Sequence, residues 1–347
     1  MEEKHEMFIE LHVARGIAAL FVVLFHANLG SVFFYGKTAF SGFWKFGIIG
    51  VDFFFVLSGF IIYWIHSEDD KNFESSLLYF KKRIIKIYPP FILISIILLI
   101  SYKIFPNLSA ANRNIGIITS IFLFPTPPLD PALTISWTLM HQMMFYIIFI
   151  TIYIKKTLFH ITFILWGLMI LFFSFIPFEG IIKTFFFNPY NLQFLIGIIA
   201  AKIIRSDRNG KPLIYLGFIM LLFFIYTPNF NIEETLIFYQ LLEKIYLGLC
   251  FMFIIIGLTS INTRIKYPKF LIFLGSASYS IYLIHNPVIS ILNRIAFKVH
   301  GTVAIIPEIF FIIISGLCIL AGLLYYVIFE KPISKVLHDK FLSSSKI

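Results

Sequence analysis

Ten runs of mostly apolar residues divide the chain, each near the length of about 20 residues that carries a helix across a bilayer. They fall near 13–34, 46–65, 88–105, 134–154, 158–178, 187–204, 212–227, 236–260, 271–294 and 304–329. Inside a hydrocarbon layer a backbone has no water to bond to, so such runs must close their N–H and C=O groups internally as helices. The expected fold is therefore all-α: a polytopic integral membrane helix bundle of about ten transmembrane helices. Composition agrees, with 59% hydrophobic and 13% charged residues against about 25% charged in soluble chains. The third and seventh runs are short. No stretch between the runs is long enough for a separate soluble domain, and no repeat is visible, so residues 1–347 are expected to form a single membrane domain.

A net charge of +10 could signal nucleic acid, but the basic residues cluster in short stretches between apolar runs, the pattern of the positive-inside rule. Nucleic acid is accordingly not expected as a partner, and membrane lipids are. Of the 28 Lys and Arg, 20 fall on the side that holds both chain ends and 8 on the other, which places both termini in the cytoplasm and the chain in the cell membrane. The opening "MEEKHEMFIELH" is acidic and mixed and leads to no small-residue cleavage site, so no cleaved signal peptide is expected. Cys250 and Cys318 lie within apolar runs, away from metal-ligand spacing, and read as packing residues with no metal site. The connection 106–133 carries "FPTPPLDPAL", whose prolines point to an extended segment.

Ionisable groups within a span cost about 2.5–3.5 kcal/mol for Arg, Lys or Asp on insertion scales and usually face protein or a water-filled cavity. In the first run Arg15 and His26 are eleven residues apart, close to three helical turns, which sets them on one face with about 16 Å of rise between them. Arg15 could receive a phosphate or carboxylate, or act as a snorkelling anchor. His26 could serve as general base or nucleophile, or as an interhelical hydrogen-bond partner. In the second run, "GVDFFFVLSGFII", Asp52 could orient an imidazole or cap a helix.

The stretch "YFKKRIIKIYPPF" reads as a basic cytoplasmic loop entering the third span at the proline pair, with Lys81, Lys82, Arg83 and Lys86. Arg83 and Lys86, three apart, share a helical face suited to the phosphates of a polyanionic donor. In the fourth run, "SWTLMHQMMFYIIF", Trp137 suits an interface, and His141 with Gln142 could line a polar cavity for a hydroxyl-bearing acceptor. The ninth run, "GSASYSIYLIHNPV", leads through Ser276, Ser278, Tyr279, Ser280 and Tyr282 to His285 and Asn286. Small residues there also suit close helix packing, and Pro287 suggests a kink. Glu330 ends the tenth run in "YYVIFEKPISK", where a carboxylate opposes the helix dipole unless a cation compensates. An ion-pair cluster of Glu330 with Arg15 and Arg83 is expected.

Taken together these stretches resemble the integral membrane acyltransferases of the type 3 acyltransferase superfamily, over nearly the whole chain. The resemblance is carried in order by "RGIAALFVVLFH", "GVDFFFVLSGF", "KKRIIKIYPP", "SWTLMHQMMFY", "SYSIYLIHNPV" and "FEKP". Two positions depart from the family's pattern. Lys86 stands where many members have a second Arg, a point charge in place of a fork. Gln142 stands where many have an acidic residue five positions after the Trp.

The resemblance implies an O-acyltransferase that moves an acyl group, acetyl first among them, from cytoplasmic acyl-CoA to a hydroxyl of a cell-surface carbohydrate or lipid-linked glycan. Acetyl-CoA or another acyl-CoA is then a co-substrate, and no cofactor is bound permanently. On that reading His26 takes the acceptor's proton or carries the acyl group, and Glu330, which with Arg15 completes the catalytic set, positions the basic cluster. Arg15, Arg83, Lys86 and Lys82 hold the donor's phosphates. Asp52, Trp137, His141, Gln142, Tyr279 and His285 line the substrate site. The chain ends soon after Glu330, which resembles the stand-alone form without an SGNH-type extracytoplasmic domain. Two alternatives remain: a transporter or flippase of a lipid-linked or anionic substrate, or a relay that passes the acyl group to a partner acyltransferase subunit.

Overall fold

The computed structural model describes residues 8–109, 113–176, 180–206, 210–227, 237–261, 266–300 and 306–342. The run ends at 177–178, 236 and 304–305, and four of the charges tallied above (Lys4, Arg208, Arg264 and Lys346), lie outside the described residues. The chain is an all-α membrane bundle. Its long helices are α1 (Ile9–Tyr35), α2 (Ile49–His66), α3 (Phe73–Ile104), α4 (Ser136–Phe149), α5 (Lys156–Phe175), α6 (Asn191–Ser206), α7 (Lys211–Tyr226), α8 (Ile237–Thr259), α9 (Lys269–His300) and α10 (Pro307–Tyr325). A π-helical turn, Tyr326–Glu330, joins α10 to α11 (Lys331–Phe341). Among the described residues eight helical stretches are long and apolar enough to cross a membrane. The shorter α7 has 16 residues, and α9, with 32, is diluted by its hydroxyls, histidine and basic end.

The basic stretch at 81–86 is not a loop. It lies in α3, which begins at Phe73 and runs through Pro89 and Pro90. Lys and Arg are good helix formers, and a proline inside a helix leaves carbonyls one turn earlier without a donor. Two tyrosines contribute side-chain donors in this part of the helix: Tyr279 donates to the Ile87 carbonyl at 2.8 Å and Tyr325 to the Pro90 carbonyl at 2.7 Å. Among its described residues the proline-rich connection is mostly irregular, with short helical turns at Pro106–Leu108 and Ile117–Phe122 and isolated bridges from Ile115 to Asp130 and from Thr126 to Leu129.

The helices group into two compact units. The first comprises residues 1–13, 51–80 and 141–268; the second comprises 14–50, 81–140 and 269–347. In the first, α2 and α6 approach at two glycines: a Cβ on Gly59 would run into the Phe194 backbone and one on Gly197 into the Val56 carbonyl. Around that contact Phe145 stacks on Phe194 with centroids 4.3 Å apart, and Phe149, in ring contact with Phe145, Tyr79 and Phe159, is fully buried together with the last two. In the segment between α2 and α3, Asp69 accepts from His66 Nδ1 at 2.7 Å and from the Tyr153 hydroxyl at 2.8 Å.

The second unit is organised by α1 and α9. A Cβ on Gly16 would come within 2.8 Å of the Gly275 nitrogen, so only a hydrogen allows the two backbones this close. Further along, a Cβ on Gly30 would meet Asn293 Nδ2 at 2.8 Å. The two contacts fix α1 and α9 as parallel neighbours in register. On α9 the positions Gly275, Ser278, Tyr282, His285 and Ile289 follow alternating steps of three and four and are all buried, the stripe expected of a helix face packed along its length.

Two outcomes follow. Gly16→Leu should separate α1 from α9 and lower stability by about 1–3 kcal/mol, the usual cost of overpacking, read as a lower thermal midpoint in detergent, with the exposed Ile17→Leu as an unaffected control. Burial alone would raise the Asp69 carboxyl, but the bonds from His66 and Tyr153 outweigh it and hold the group below the usual carboxylate range. Its contribution should be present above about pH 4, near the unfolded value, and be lost as pH falls through the lower folded value. Acid-induced proteolytic opening of the 67–72 segment, blunted in Asp69→Asn, is the measurement.

Candidate active site

The register of α1 and α9 decides what Arg15 and His26 meet. Arg15 donates from Nη2 to the Gly275 carbonyl at 2.8 Å and from Nε to the same oxygen at 3.3 Å. Eleven residues on, His26 Nδ1 lies 2.9 Å from the Val22 carbonyl and 3.2 Å from His285 Nε2. The steps match: eleven residues on α1 and ten on α9 are each about 15–16 Å of helix. His26 is partly exposed, whereas His285 is wholly buried, and their rings meet edge to face with centroids 4.6 Å apart.

His285 is held on all sides of its turn. Its Nδ1 lies 2.5 Å from the Tyr282 carbonyl, and the Cys318 thiol of α10 approaches its own carbonyl at 3.6 Å. The Tyr282 hydroxyl bonds Thr138 Oγ1 at 2.7 Å, and Asn286 donates to Thr134 Oγ1 at 2.6 Å. The segment leading into α4 and its first turn are thus tied to α9 on both sides of the histidine. Trp137, partly exposed, sits in that turn between the two threonines.

Glu330 is a buried carboxylate of this unit. It is 1% exposed and accepts from Lys86 Nζ at 2.5 Å and from the Ser280 hydroxyl at 2.6 Å. Its place follows from the π-helical turn, because Pro332 brings no N–H to continue the α-helical ladder and the Lys331 N–H reaches back five residues to Tyr326. The sequence reading is corrected on one point: the helix does not end at Glu330 but continues as α11. Lys86 pairs with the carboxylate, and Arg15 donates to the Gly275 carbonyl. Lys82 and Arg83, on the same stretch of α3 as Lys86, are both partly exposed. The Tyr279 hydroxyl is likewise engaged with the Ile87 carbonyl.

Asp52, His141 and Gln142 belong to the first unit. Asp52 is neither a cap nor an imidazole partner there: it lies within the first turn of α2, fully buried, accepting from Gln193 Nε2 at 2.6 Å with Lys244 Nζ at 3.2 Å. Lys244 also pairs with Glu243 at 2.8 Å and stands 4.2 Å from the Tyr190 ring centre. His141 Nδ1 lies 3.0 Å from Asn191 Oδ1. Gln142 Nε2 donates to Ser58 Oγ of α2 at 2.8 Å and, one turn along its own helix, to the Tyr146 hydroxyl at 2.5 Å, so one amide hydrogen ties α4 to α2 and the other stays within α4. The sequence reading misses Lys244, Glu243, Gln193 and Asn191. The signal was a pair of ionisable residues inside the eighth apolar run, the same cue that singled out His26.

A family model described as an acyltransferase domain matches residues 8–327. The exopolysaccharide production protein ExoZ of Rhizobium meliloti (strain 1021) is 25% identical over 299 residues, covering 83% of this chain and 89% of its own. Proteins named "Putative O-acetyltransferase" in Staphylococcus aureus strains COL and Mu50 are each 26% identical over 365 residues, covering 92% of this chain. The chain spans 56% of the length of these staphylococcal relatives. No solved structure gives a significant match.

The Lys86–Glu330 pair joins a half-exposed ammonium to a buried carboxylate, so the two ends are not equivalent. Lys86→Ala leaves a buried charge with only Ser280 and should cost about 1–3 kcal/mol more than Glu330→Gln. The double variant should be more stable than Lys86→Ala alone, as thermal unfolding in detergent would register.

Proposed function

The chain belongs to the acyltransferase family, and from that premise we propose that it is a membrane-embedded O-acyltransferase drawing on cytoplasmic acyl-CoA, acetyl-CoA first, to acylate a hydroxyl of a cell-surface carbohydrate. The observation that carries the reading is the α1 face, which sets a guanidinium and an imidazole about 16 Å apart in the same unit as the basic stretch of α3. The distribution of Lys and Arg supports cytoplasmic termini, with Arg15 near the cytoplasmic mouth and His26 deeper. Arg83 and Lys82, with Arg15, would meet the donor's phosphates, for which charged forks and point charges are suited. The name of the exopolysaccharide production relative supports a glycan as the acceptor class.

Among the described residues both hydrogen bonds of the His26 ring are made at Nδ1, which leaves Nε2 for the substrate. In the proposed step Nε2 takes the proton of the acceptor hydroxyl as that oxygen attacks the thioester carbonyl carbon. The C–S bond then breaks, and the proton passes from His26 to the departing thiolate. One ester and one free thiol result, and the histidine returns to its neutral form. Trp137, in the first turn of α4 beside the bonds that flank His285, is the candidate for the acceptor side, since an aromatic face suits a sugar ring.

Purified protein supplied with acetyl-CoA and envelope polysaccharide should release thiol and label the glycan. His26→Ala should lower the rate by about a hundredfold or more, and Arg15→Ala should raise the KM for acetyl-CoA. Wild-type rates in both variants at normal expression would contradict the assignment. Substrate movement without thiol release would favour a transporter, and thiol release only with a second subunit would favour a relay.

A further inference from the structure

We infer that His285 is a positioning residue for His26, fixing through a chain of two neutral imidazoles which nitrogen of His26 receives the acceptor's proton. This rests on the reading of His26 as the base and adds to it the identity of the group that orients that base.

The argument starts from carbonyls, which only accept. His285 Nδ1 lies 2.5 Å from the Tyr282 carbonyl, so Nδ1 carries the hydrogen and, in the neutral ring, Nε2 is a bare acceptor. His26 Nδ1 lies 2.9 Å from the Val22 carbonyl, so it too carries its hydrogen. The contact of 3.2 Å between His285 Nε2 and His26 Nδ1 is then a hydrogen bond in one direction only, from His26 to His285, with the hydrogen shared with Val22. One assignment satisfies all three contacts, and it places the lone pair of His26 on Nε2. The reverse assignment sets a bare nitrogen lone pair against a carbonyl oxygen at one ring or the other.

The arrangement has a consequence for the step itself. When Nε2 takes a proton the ring becomes a cation, and its Nδ1–H becomes a stronger donor. His285 Nε2 is the acceptor already in place, which is what a third group does when it orients and supports a base. Here that group is uncharged, and a second carboxylate need not be buried beside it. The Tyr282–Thr138 and Asn286–Thr134 bonds and the Cys318 contact hold the turn of α9 from which His285 projects.

Nitrogen-15 NMR of histidine-labelled protein in lipid, with His26→Gln and His285→Gln used for assignment, reads the tautomers directly. The expected result is both rings neutral with hydrogen on Nδ1 and none on Nε2; a hydrogen on Nε2 of either neutral ring overturns the proposal. Kinetics supply the second readout. His285→Leu, which removes the acceptor, should lower kcat by about tenfold or more with the KM for acetyl-CoA unchanged, and His285→Gln, whose side-chain oxygen can accept, should recover most of it. Equal loss in the two variants, or loss confined to KM, would contradict the positioning role. Because His26→Ala tests the base itself, an inactive His26 variant beside a fully active His285→Leu rejects only this inference, while an active His26→Ala rejects the reading beneath it.

Discussion

The contact of Gly16 with Gly275 is the constraint on which the rest of the second unit depends. With no Cβ on either side, α1 and α9 come together as parallel neighbours, and the register of that contact determines every partner further along. Arg15 finds the Gly275 carbonyl because it is one residue before the glycine. His26 finds His285 because helices in register advance equally over three turns. Helices in lipid gain little from the hydrophobic effect against one another, so close approach of small residues is a principal source of both affinity and specificity. A single residue of slip would move His26 away from His285 and Arg15 away from its carbonyl.

Each unit also buries a carboxylate among its helices and answers it with a lysine. In the second, Glu330 takes Lys86 and Ser280; in the first, Asp52 takes Lys244 and Gln193. A carboxylate among apolar helices is tolerable only when paired and hydrogen-bonded. Both pairs link segments far apart in sequence, so they act as clasps between helices. The groups to which the proposed reading gives the chemistry, His26, Arg15, Arg83 and Lys82, remain partly exposed.

Much of this was legible in the amino-acid order. Apolar run length alone gives the helices, because hydrocarbon permits a spanning segment little else. The spacing of Arg15 and His26 gives their shared face, and the small residues of "GSASYSIYLIHNPV" mark α9 as a helix suited to close packing. What was not legible is pairing. Lys86 and Arg83 are equally placed in sequence to meet Glu330, and only the fold chooses Lys86. Asp52 carries no mark of Lys244 and Gln193, which are well over a hundred residues away. The start of α3 was obscured for another reason: a proline pair ordinarily marks a boundary, and the tyrosine hydroxyls that donate near it come from α9 and α10.

The orienting role of His285 requires that the two histidines meet, as the register of α1 and α9 brings them to do. Cross-linking tests this most directly: His26→Cys and His285→Cys, placed together in a Cys250→Ser and Cys318→Ser background, treated with a short thiol-to-thiol reagent in native membranes. The account predicts a rapid intramolecular link between the two cysteines, slowed when Gly16→Leu is added. Failure to link in a folded, membrane-inserted protein, while each cysteine alone reacts with a monofunctional reagent, would contradict it.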